Sequence, residues 1–381
     1  MKIELNDEQK LLQENVRRFA EEVARPRAKE IDESGEFPRS FFDQAGELGL
    51  AGVSVPEEHG GAGMDAISYC LVIEEISRVC ATSGVILSVN NSLVCDPLMK
   101  FGTEEQKREF LTPLAAGKKL GCFALTEPGA GSDPAGLRTT ARRDGDDYIL
   151  NGNKIFITNG THADVALVFA NVDLSKKHKG ITCFIVPADT PGYSHGVHEF
   201  KLGVNASGTT ELAFTEMRVP ARWRLGEEGE GFKVAMFTLD GGRIGIAAQA
   251  IGIAQAAFEE ALAYSQQREQ FNQRLSDFQA IQFYLADMST EIDAARLLTW
   301  KAAWAKENQK RFSLEAAQAK LFASEMAQRV TNKALQIHGG YGYTKEYNVE
   351  RYFRDARITE IYEGTSELQK MVIADWVLNK S

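Results

Sequence analysis

The stretch "YILNGNKIFITNG", from Tyr148 to Gly160, decides the fold class of this 381-residue chain. It is short, contains three isoleucines together with tyrosine, phenylalanine and threonine, and is bounded by glycine and asparagine, which is the pattern of a β-strand that ends in turns. Similar runs follow at "DVALVFANV", "GITCFIVPA" and "TTELAFTEMRVP". Residues 121–230 are therefore predicted to form a middle antiparallel β domain.

Helical periodicity precedes the β domain. Asn6 is expected to cap a first helix, with Gln9 three residues later as its capping-box partner. Apolar residues then recur at the spacing of one buried helix face, and these are Leu11, Leu12, Val16, Phe19 and Val23. Further helices are predicted at "RSFFDQAGELGL", "AISYCLVIEEISRVC" and "TEEQKREFLTPLAAG". Residues 1–120 are therefore expected to form an N-terminal all-α domain.

The helical period returns after the β domain. It runs in four segments separated by short breaks, near 231–266, 277–306, 313–338 and 367–378. Four long helices with short connections predict a C-terminal four-helix bundle over residues 231–381. The fold class is therefore predicted to be α+β and multidomain. A Rossmann fold is disfavoured, because strands and helices do not alternate and "EPGAGSD" lacks the G-x-G-x-x-G spacing.

Composition and charge exclude several functional classes. The formal net charge of −10 disfavours nucleic acid as a partner, because that affinity depends on a basic face. No apolar run approaches the ~20 residues that span a bilayer, so no membrane insertion is expected. The first residues contain neither a signal core nor a transit-like stretch, and we expect a cytoplasmic protein. The five cysteines form no C-x-x-C pair and are expected to be buried thiols, and His195 and His198 lack the neighbouring ligands of a metal site.

Two stretches of the β domain are suited to binding a ligand. "CFALTEPGAGSD" places Thr126, Ser132 and exposed backbone in a turn that could donate hydrogen bonds to a polar ring or a phosphate. An ordinary glycine-rich loop is the alternative. In "KIFITNG", side-chain alternation predicts that Phe156 and Thr158 share one face of a strand, which suits a flat heteroaromatic cofactor. Core packing is equally compatible with that pattern.

A third stretch comprises "LQIHGGYGY" and "IYEGTSE". Gly339 and Gly340 are expected to end a helix, and Gly364 to Ser366 to open another one, whose free amides can bind an anion. Glu363 lies just ahead of that helix, beside Tyr362. By position alone, a glutamate in a loop is more often solvated than catalytic.

Six motifs taken together are more specific than any one of them. "ALTEPGAGSD", "KIFITNG", "DGGRIGIAAQAIGIAQ", "REQF", "QIHGGYGYTKEY" and "IYEGTSELQ" occur in this order over nearly the whole chain. With them the chain resembles the acyl-CoA dehydrogenases, and it looks most like their short-chain, butyryl-CoA type. The resemblance implies the same three-domain fold, an acyl-CoA substrate and FAD. It also implies an electron-transferring flavoprotein as acceptor and a homotetramer built as a dimer of dimers.

The resemblance also implies residue roles. The flavin ring and phosphates are assigned to two segments of the β domain, with Phe123, Leu125, Thr126, Gly131 and Ser132 in the first and Phe156, Ile157 and Thr158 in the second. The FAD of a neighbouring subunit is assigned to Arg268, Phe271, Gln279, Gln336, Ile337, Gly339 and Gly340. The adenosine end of FAD is assigned to Thr365, Ser366 and Glu367. Substrate contacts fall to Asp240 and Arg243, which are assigned to the CoA portion, and to Tyr362 and Gly364, while Ser132 touches both ligands.

Asn272 departs from the family pattern. Relatives usually have glycine after the phenylalanine of the Arg-x-x-Phe motif, whereas this chain has asparagine. Asparagine is the non-glycine residue best able to adopt a positive φ, so we expect the turn to be kept.

The chemistry that the resemblance implies requires a base. Glu363 is assigned to remove the α-proton of the thioester while the β-hydrogen leaves as hydride to flavin N5, which gives a trans-2-enoyl-CoA. Burial beside flavin and acyl chain should raise the pKa of this carboxyl toward neutral pH. In a second family design the base stands on the first long helix of the bundle, but this chain has Gly242 in that place.

Two other classes and the identity of the acyl group stay open at this point. A flavoprotein oxidase of the same fold would pass electrons to oxygen, and a non-catalytic assembly-type relative would have kept only the fold. The short-chain look favours butyryl-CoA, but a compact branched or cyclic acyl group could also fit. Asp96, within "SVNNSLVCDPL", is unusual for an apolar pocket and has no explanation from the sequence.

Overall fold

A computed structural model describes residues 4–379 and opens with the predicted capped helix α1 (Asp7–Phe19). The Asn6 side chain accepts a hydrogen bond from the Gln9 amide at 2.8 Å, and the Gln9 side chain accepts one from the Asn6 amide. Leu11 is 58% exposed and does not belong to the buried face. At 3.6 residues per turn, the stripe that contains Val16 and Phe19 passes through Leu12 instead.

Seven further helices complete the N-terminal helical domain. The predicted helices at residues 39 and 66 are observed as α3 and α4, and two π-helical segments, Val89–Cys95 and Lys107–Leu111, connect later elements. The bounds are α2 (Ala28–Ser34), α3 (Arg39–Glu47), α4 (Ala66–Val79), α5 (Ala81–Ser88), α6 (Asp96–Phe101), α7 (Glu104–Gln106) and α8 (Thr112–Ala115).

The middle region is a sheet of eight strands. These are β1 (Gly121–Ala124), β2 (Thr140–Asp144), β3 (Asp147–Ile157), β4 (Val165–Asn171), β5 (Ile181–Pro187), β6 (Tyr193–His198), β7 (Thr210–Pro220) and β8 (Arg224–Leu225). Their order is β6-β7-β3-β2-β4-β5-β8, with β1 paired to β4. The hairpin-connected strands are antiparallel as predicted, whereas β1 and the end of β2 run parallel to β4. A parallel pair needs a long connection, and β2 and β3 lie between β1 and β4 in the chain.

The C-terminal region consists of helices. The four predicted segments are observed as α9 (Gly231–Gln267), α10 (Gln279–Asn308), α11 (Ser313–His338) and α13 (Ser366–Asn379). The predicted short break between the last two is wrong, because it contains the additional helix α12 (Val349–Arg357). Charged residues cover most of α12, so its few buried positions, among them Val349, Tyr352 and Ala356, gave no long apolar run to detect.

One hydrophobic core joins the two helical regions. It contains residues of α1, α3 and α4 together with residues of α9, α10 and α11. A second cluster joins Leu98 of α6, Phe169 of β4 and Val234 of α9, so that all three regions meet at one junction. All five cysteines are buried, as predicted. No helix within residues 4–379 combines the length and apolar character needed to cross a membrane.

Candidate active site

The Glu363 turn lies where the bundle meets the N-terminal helices. Glu363 has φ of +54° and Gly364 has φ of +93°, so two consecutive residues adopt left-handed backbone just before α13. Gln369, in the first turns of α13, donates hydrogen bonds from Nε2 to the carbonyls of Glu363 and Gly364 at 3.1 and 3.0 Å. Because residues other than glycine rarely adopt a positive φ, these hydrogen bonds are needed to hold the Glu363 backbone, and with it the carboxylate, in place.

The carboxylate of Glu363 is enclosed. Its Oε2 is buried and has no hydrogen-bond partner within the protein. Burial raises the pKa of Glu363 to about 7, and the positive charges of Arg243 and Lys320 oppose that rise. A buried oxygen without a partner is costly in a folded protein and marks an atom kept free for another molecule.

Gly242 of α9 gives Glu363 the space that it occupies. A Cβ atom at residue 242 would lie 2.4 Å from Glu363 Oε2 and 2.7 Å from Cδ2 of Leu93. Real Cβ atoms do not approach other atoms so closely, so a side chain at residue 242 would force the Glu363 carboxylate and the Leu93 side chain to shift. In this structure the Glu363 carboxylate therefore lies against the helix position to which the alternative family base is assigned.

An apolar cluster lies beside the carboxylate. Val85, Val89 and Leu93 are buried, and Phe123 of β1 and Tyr362 pack against them. The Tyr362 hydroxyl donates to Oε1 of Gln249, whose Nε2 in turn donates to the Ala81 carbonyl at 2.9 Å. The cluster offers apolar side chains, and the hydrogen bonds from Tyr362 to Gln249 and from Gln249 to Ala81 lie at one side of it. Such a lining suits a short acyl group.

Asp240 and Arg243 form an enclosed ion pair one turn apart on α9. The guanidinium donates to Asp240 at 2.6 Å, and Asp240 also accepts a hydrogen bond from Ser313. Only 5% of Arg243 is exposed, and its charge acts on Glu363. The assignment of both residues to the CoA portion stays a prediction.

Asp96, which has no explanation from the sequence, forms an ion pair in the structure. Its carboxylate pairs with the ammonium group of Lys306 on α10, beside Gly241. The acid is thus neutralised by a residue 210 positions away in the chain. Asp96 therefore connects the N-terminal helices to the bundle as one half of an ion pair.

The two β-domain stretches are joined to each other. The Ile155 amide donates to the Thr126 carbonyl at 2.9 Å, and the fully buried Lys154 donates to the Leu125 carbonyl and to Glu127 Oε1. Glu127 in turn accepts hydrogen bonds from the amides of Arg138 and Thr139. This network fixes the loop that contains Gly131 and Ser132, and it leaves open space above Gly129 and Gly131.

Phe156 and Thr158 do not lie on one face of a regular strand, which is the arrangement that side-chain alternation predicts. Phe156 has φ of +58° at an irregularity in the β3–β7 pairing, and β3 ends at Ile157, before Thr158. The prediction that Phe156 and Thr158 share one face of a regular strand is therefore wrong. The irregularity nevertheless turns Phe156 outward, where 61% of the residue is exposed at the edge of the β domain, while Ile157 is buried. Bulges commonly redirect a side chain in this way near functional sites.

A separate cavity of about 490 Å³ is lined by several of the other residues that the resemblance assigns to FAD. Its lining includes Arg268, Ile337, Gly339, Gly340 and Tyr341, with the Arg268 guanidinium 5.8 Å from the centre of the Tyr341 ring. A cation and exposed backbone in one cavity suit a phosphate group. Phe271, Gln279 and Gln336 lie nearby in the chain and are exposed.

Asn272 has the predicted backbone conformation. Its φ is +61°, next to Phe271 at +55°, in the tight connection between the Glu269–Gln270 and Gln273–Arg274 strands. The expectation that asparagine keeps the turn of the Arg-x-x-Phe motif is confirmed.

The last predicted group opens α13. The Thr365 side chain accepts a hydrogen bond from the Leu368 amide at 3.4 Å, Ser366 is buried with a hydroxyl that has no partner, and Glu367 is exposed. The hydroxyl of Ser366, the open space above Gly339 and Gly340 and the Arg268 cation are features that a dinucleotide can use. The residues present therefore fit FAD.

Two residues of the site were missed from the sequence. Lys320 of α11 is fully buried and donates from Nζ to the Gly364 carbonyl at 2.7 Å, and Gln369 holds the same turn. A signal for Lys320 did exist, because it falls in the apolar stripe of α11 between Ala316 and Ala323. Gln369 has no comparable signal.

Comparisons with known proteins agree along the whole chain. Models of the N-terminal, middle and C-terminal domains of acyl-CoA dehydrogenases match residues 6–118, 122–217 and 229–378. The chain is 52% identical over 376 residues to the short-chain specific acyl-CoA dehydrogenase, mitochondrial, of Bos taurus, covering 99% of this chain and 91% of that one.

Two solved structures have the same fold. Butyryl-CoA dehydrogenase from Megasphaera elsdenii superposes with a TM-score of 0.98 at 48% identity, covering 100% of both chains. A chain from the structure described as "Electron transferring flavoprotein of Acidaminococcus fermentans: Towards a mechanism of flavin-based electron bifurcation" gives the same score, identity and coverage.

Proposed function

The chain belongs to the acyl-CoA dehydrogenase family of FAD-dependent oxidoreductases, and from that premise we propose that it converts a short-chain acyl-CoA to the trans-2-enoyl-CoA with Glu363 as the base. The α C–H bond breaks and its proton goes to Glu363. The β C–H bond breaks with both electrons leaving as hydride, and a carbon–carbon double bond forms. FAD, when bound, supplies the acceptor for that hydride.

The observation that carries this proposal is the buried, unpartnered Oε2 of Glu363. A base must be free to accept a proton, and its pKa should lie near the working pH. Burial gives Glu363 a pKa of about 7, which meets that requirement. The backbone amide of Glu363 is proposed to donate to the thioester carbonyl, where negative charge develops as the proton leaves.

The substrate class follows from the apolar cluster beside Glu363. Val85, Val89 and Leu93 form an apolar cluster against which Phe123 and Tyr362 pack, and the Tyr362 hydroxyl donates to the Gln249 side chain. An apolar lining with few polar atoms suits a short acyl chain. The Bos taurus relative is named as short-chain specific and the Megasphaera elsdenii structure as butyryl-CoA dehydrogenase. Butyryl-CoA is therefore the substrate to test first, with branched and cyclic analogues beside it.

The electron acceptor is proposed to be an electron-transferring flavoprotein, and the assembly a homotetramer in the cytoplasm. The acceptor is supported by the Acidaminococcus fermentans structure, whose description names such a flavoprotein. Exposed aromatic residues on the bundle are the surface offered for this assembly, since large apolar side chains at a surface are suited to burial against another subunit. They include Phe271, Phe283 and Tyr343, exposed by 89%, 59% and 87%.

The test uses Glu363→Gln, which preserves shape and removes the base. We expect FAD and acyl-CoA binding to stay near wild type, and anaerobic flavin reduction by butyryl-CoA to fall by about 10²- to 10⁴-fold. Glu363→Asp should keep part of the rate. Glu360→Gln is the matched control, since Glu360 lies in the same segment and pairs with Arg357 instead.

Single-turnover bleaching of the flavin band reports this step without interference from product release. Reduction of Glu363→Gln at more than about a tenth of the wild-type rate would show that another group is the base. A steady-state comparison of oxygen with an electron-transferring flavoprotein tests the acceptor. Comparable turnover with oxygen would favour an oxidase.

A further inference from the structure

Lys320 is a buried cation that the proposed reaction does not use. It lies in the middle of α11, and no part of its side chain is exposed. Lysine is among the residues that are least often fully buried, because its ammonium group loses its hydration. The loss must therefore be offset by specific contacts.

The contact that the ammonium makes is with the turn that presents Glu363. Lys320 Nζ donates to the carbonyl of Gly364 at 2.7 Å. The Gly364 carbonyl also accepts a bond from Gln369, so two donors from two different helices, α11 and α13, converge on one backbone oxygen. Of these two donors, only Lys320 brings a charge.

Lys320 and Glu363 influence each other. Burial lowers the pKa of the Lys320 ammonium to about 7, and the negative charges of Glu363 and Glu367 oppose that change. Conversely, the charges of Arg243 and Lys320 oppose the rise in the pKa of Glu363. An acid and a base that are both buried in one site each favour the charged form of the other.

Other charged or titratable groups also lie around the Glu363 turn. Arg243 of α9, which also pairs with the carboxylate of Asp240 at 2.6 Å, is the larger of the two positive charges that lower the pKa of Glu363, and it lowers the pKa of Lys320 as well. Glu367 of α13 is exposed and screened by solvent. The Tyr362 hydroxyl stays neutral, since burial raises its pKa well above 10. Lys320 is a buried cation that donates a hydrogen bond to the Glu363 turn itself.

We propose that Lys320 is a positioning residue for the base: its Nζ holds the Gly364 carbonyl, which keeps Glu363 in its left-handed conformation, and it places a positive charge beside the turn that presents the carboxylate. This inference rests on the proposed function of Glu363. It goes beyond that proposal because it assigns control of the base to a residue on another helix.

The test measures the ionisation of Glu363 directly. Infrared difference spectra of the FAD-loaded protein, recorded across pH, contain the C=O band of protonated carboxyl groups, and the part missing in Glu363→Gln belongs to Glu363. Two variants are compared with wild type. Lys320→Met removes both the charge and the hydrogen bond, and Lys320→Gln removes the charge but keeps a donor for the Gly364 carbonyl.

The control is Lys333→Met. Lys333 lies on the same helix and pairs with Asp287 and Glu291 on α10, so this variant also exchanges a lysine of α11 for methionine but leaves the Glu363 turn intact. We expect the Glu363 midpoint to be the same in Lys333→Met and wild type. A midpoint that moved equally in this control would overturn the assignment to Lys320.

In Lys320→Met and Lys320→Gln, we expect the Glu363 midpoint to rise by about one pH unit or more, because a nearby opposite charge has been removed. The low-pH limb of flavin reduction should rise with it, while FAD content stays near wild type. Unchanged midpoints in both variants would overturn the inference. Because the infrared titration does not depend on turnover, it tests Lys320 even if Glu363→Gln shows that another residue is the base.

Discussion

A Cβ atom on Gly242 would lie 2.4 Å from Oε2 of Glu363, so the position of the Glu363 carboxylate depends on residue 242 of α9 having no side chain. Gly242 lies on α9 and Glu363 lies in the turn before α13. The Glu363 carboxylate occupies the space that a side chain at residue 242 would fill.

Gly242→Ala should therefore displace the carboxylate. We expect slower flavin reduction, by about tenfold or more, since small misplacements of a catalytic group are costly. Gly241→Ala is the matched control, because its added methyl group would meet Asp96 Oδ2 at an ordinary 3.4 Å. Stopped-flow reduction with butyryl-CoA compares them. Equal rates for the two variants would contradict the steric argument.

The rate of flavin reduction should depend on pH through Glu363. The proton-accepting form is the ionised carboxylate, and burial raises its pKa from 4.5 to about 7. We expect kcat/KM to be lost as pH falls below about 7 and to reach a plateau above it. A pH profile measured with butyryl-CoA checks this. A low-pH limb near 4.5, the value for a solvated glutamate, would contradict the enclosed site.

Arg268→Ala should lower FAD occupancy and weaken the oligomer together. The guanidinium lies in the cavity with Gly339 and Gly340, and the family assignment directs it to the FAD of a neighbouring subunit. Flavin absorbance and light scattering on the same sample measure both quantities. Arg218→Ala is the control, since that arginine pairs with Asp144 and Asp147 on the β-domain surface. Full FAD retention in an intact tetramer of Arg268→Ala would show that the assignment is wrong.

The conformation of Asn272 predicts a ranking of substitutions. Asn272→Gly should be tolerated, because glycine adopts a φ of +61° without steric cost. Asn272→Val should destabilise the turn by about 1–2 kcal/mol, the cost of left-handed backbone for an ordinary residue. Chemical unfolding measures the free-energy difference. A valine variant as stable as the glycine variant would mean that the turn relaxes.

Local sequence signals predicted much of the fold. Strand-like runs such as "DVALVFANV", the Asn6 cap and the four long helical segments were found because strand and helix periodicity are properties of neighbouring residues. The short, highly charged α12 was missed for the same reason, since it is stabilised by its contacts rather than by an apolar run. The irregular end of β3 at Phe156 was missed because it depends on pairing with β7.

The sequence by itself determined the helical, β, helical order, the glycine and asparagine turns, and the motifs that indicated Glu363. Only the tertiary structure decided that Gly242 gives Glu363 its space, that Lys320 donates to the Gly364 carbonyl and that Asp96 pairs with Lys306. These contacts join residues far apart in the chain, and burial of a carboxylate or an ammonium is a property of all the surrounding elements together. A pattern read along one segment contains no information about which distant charge will face it.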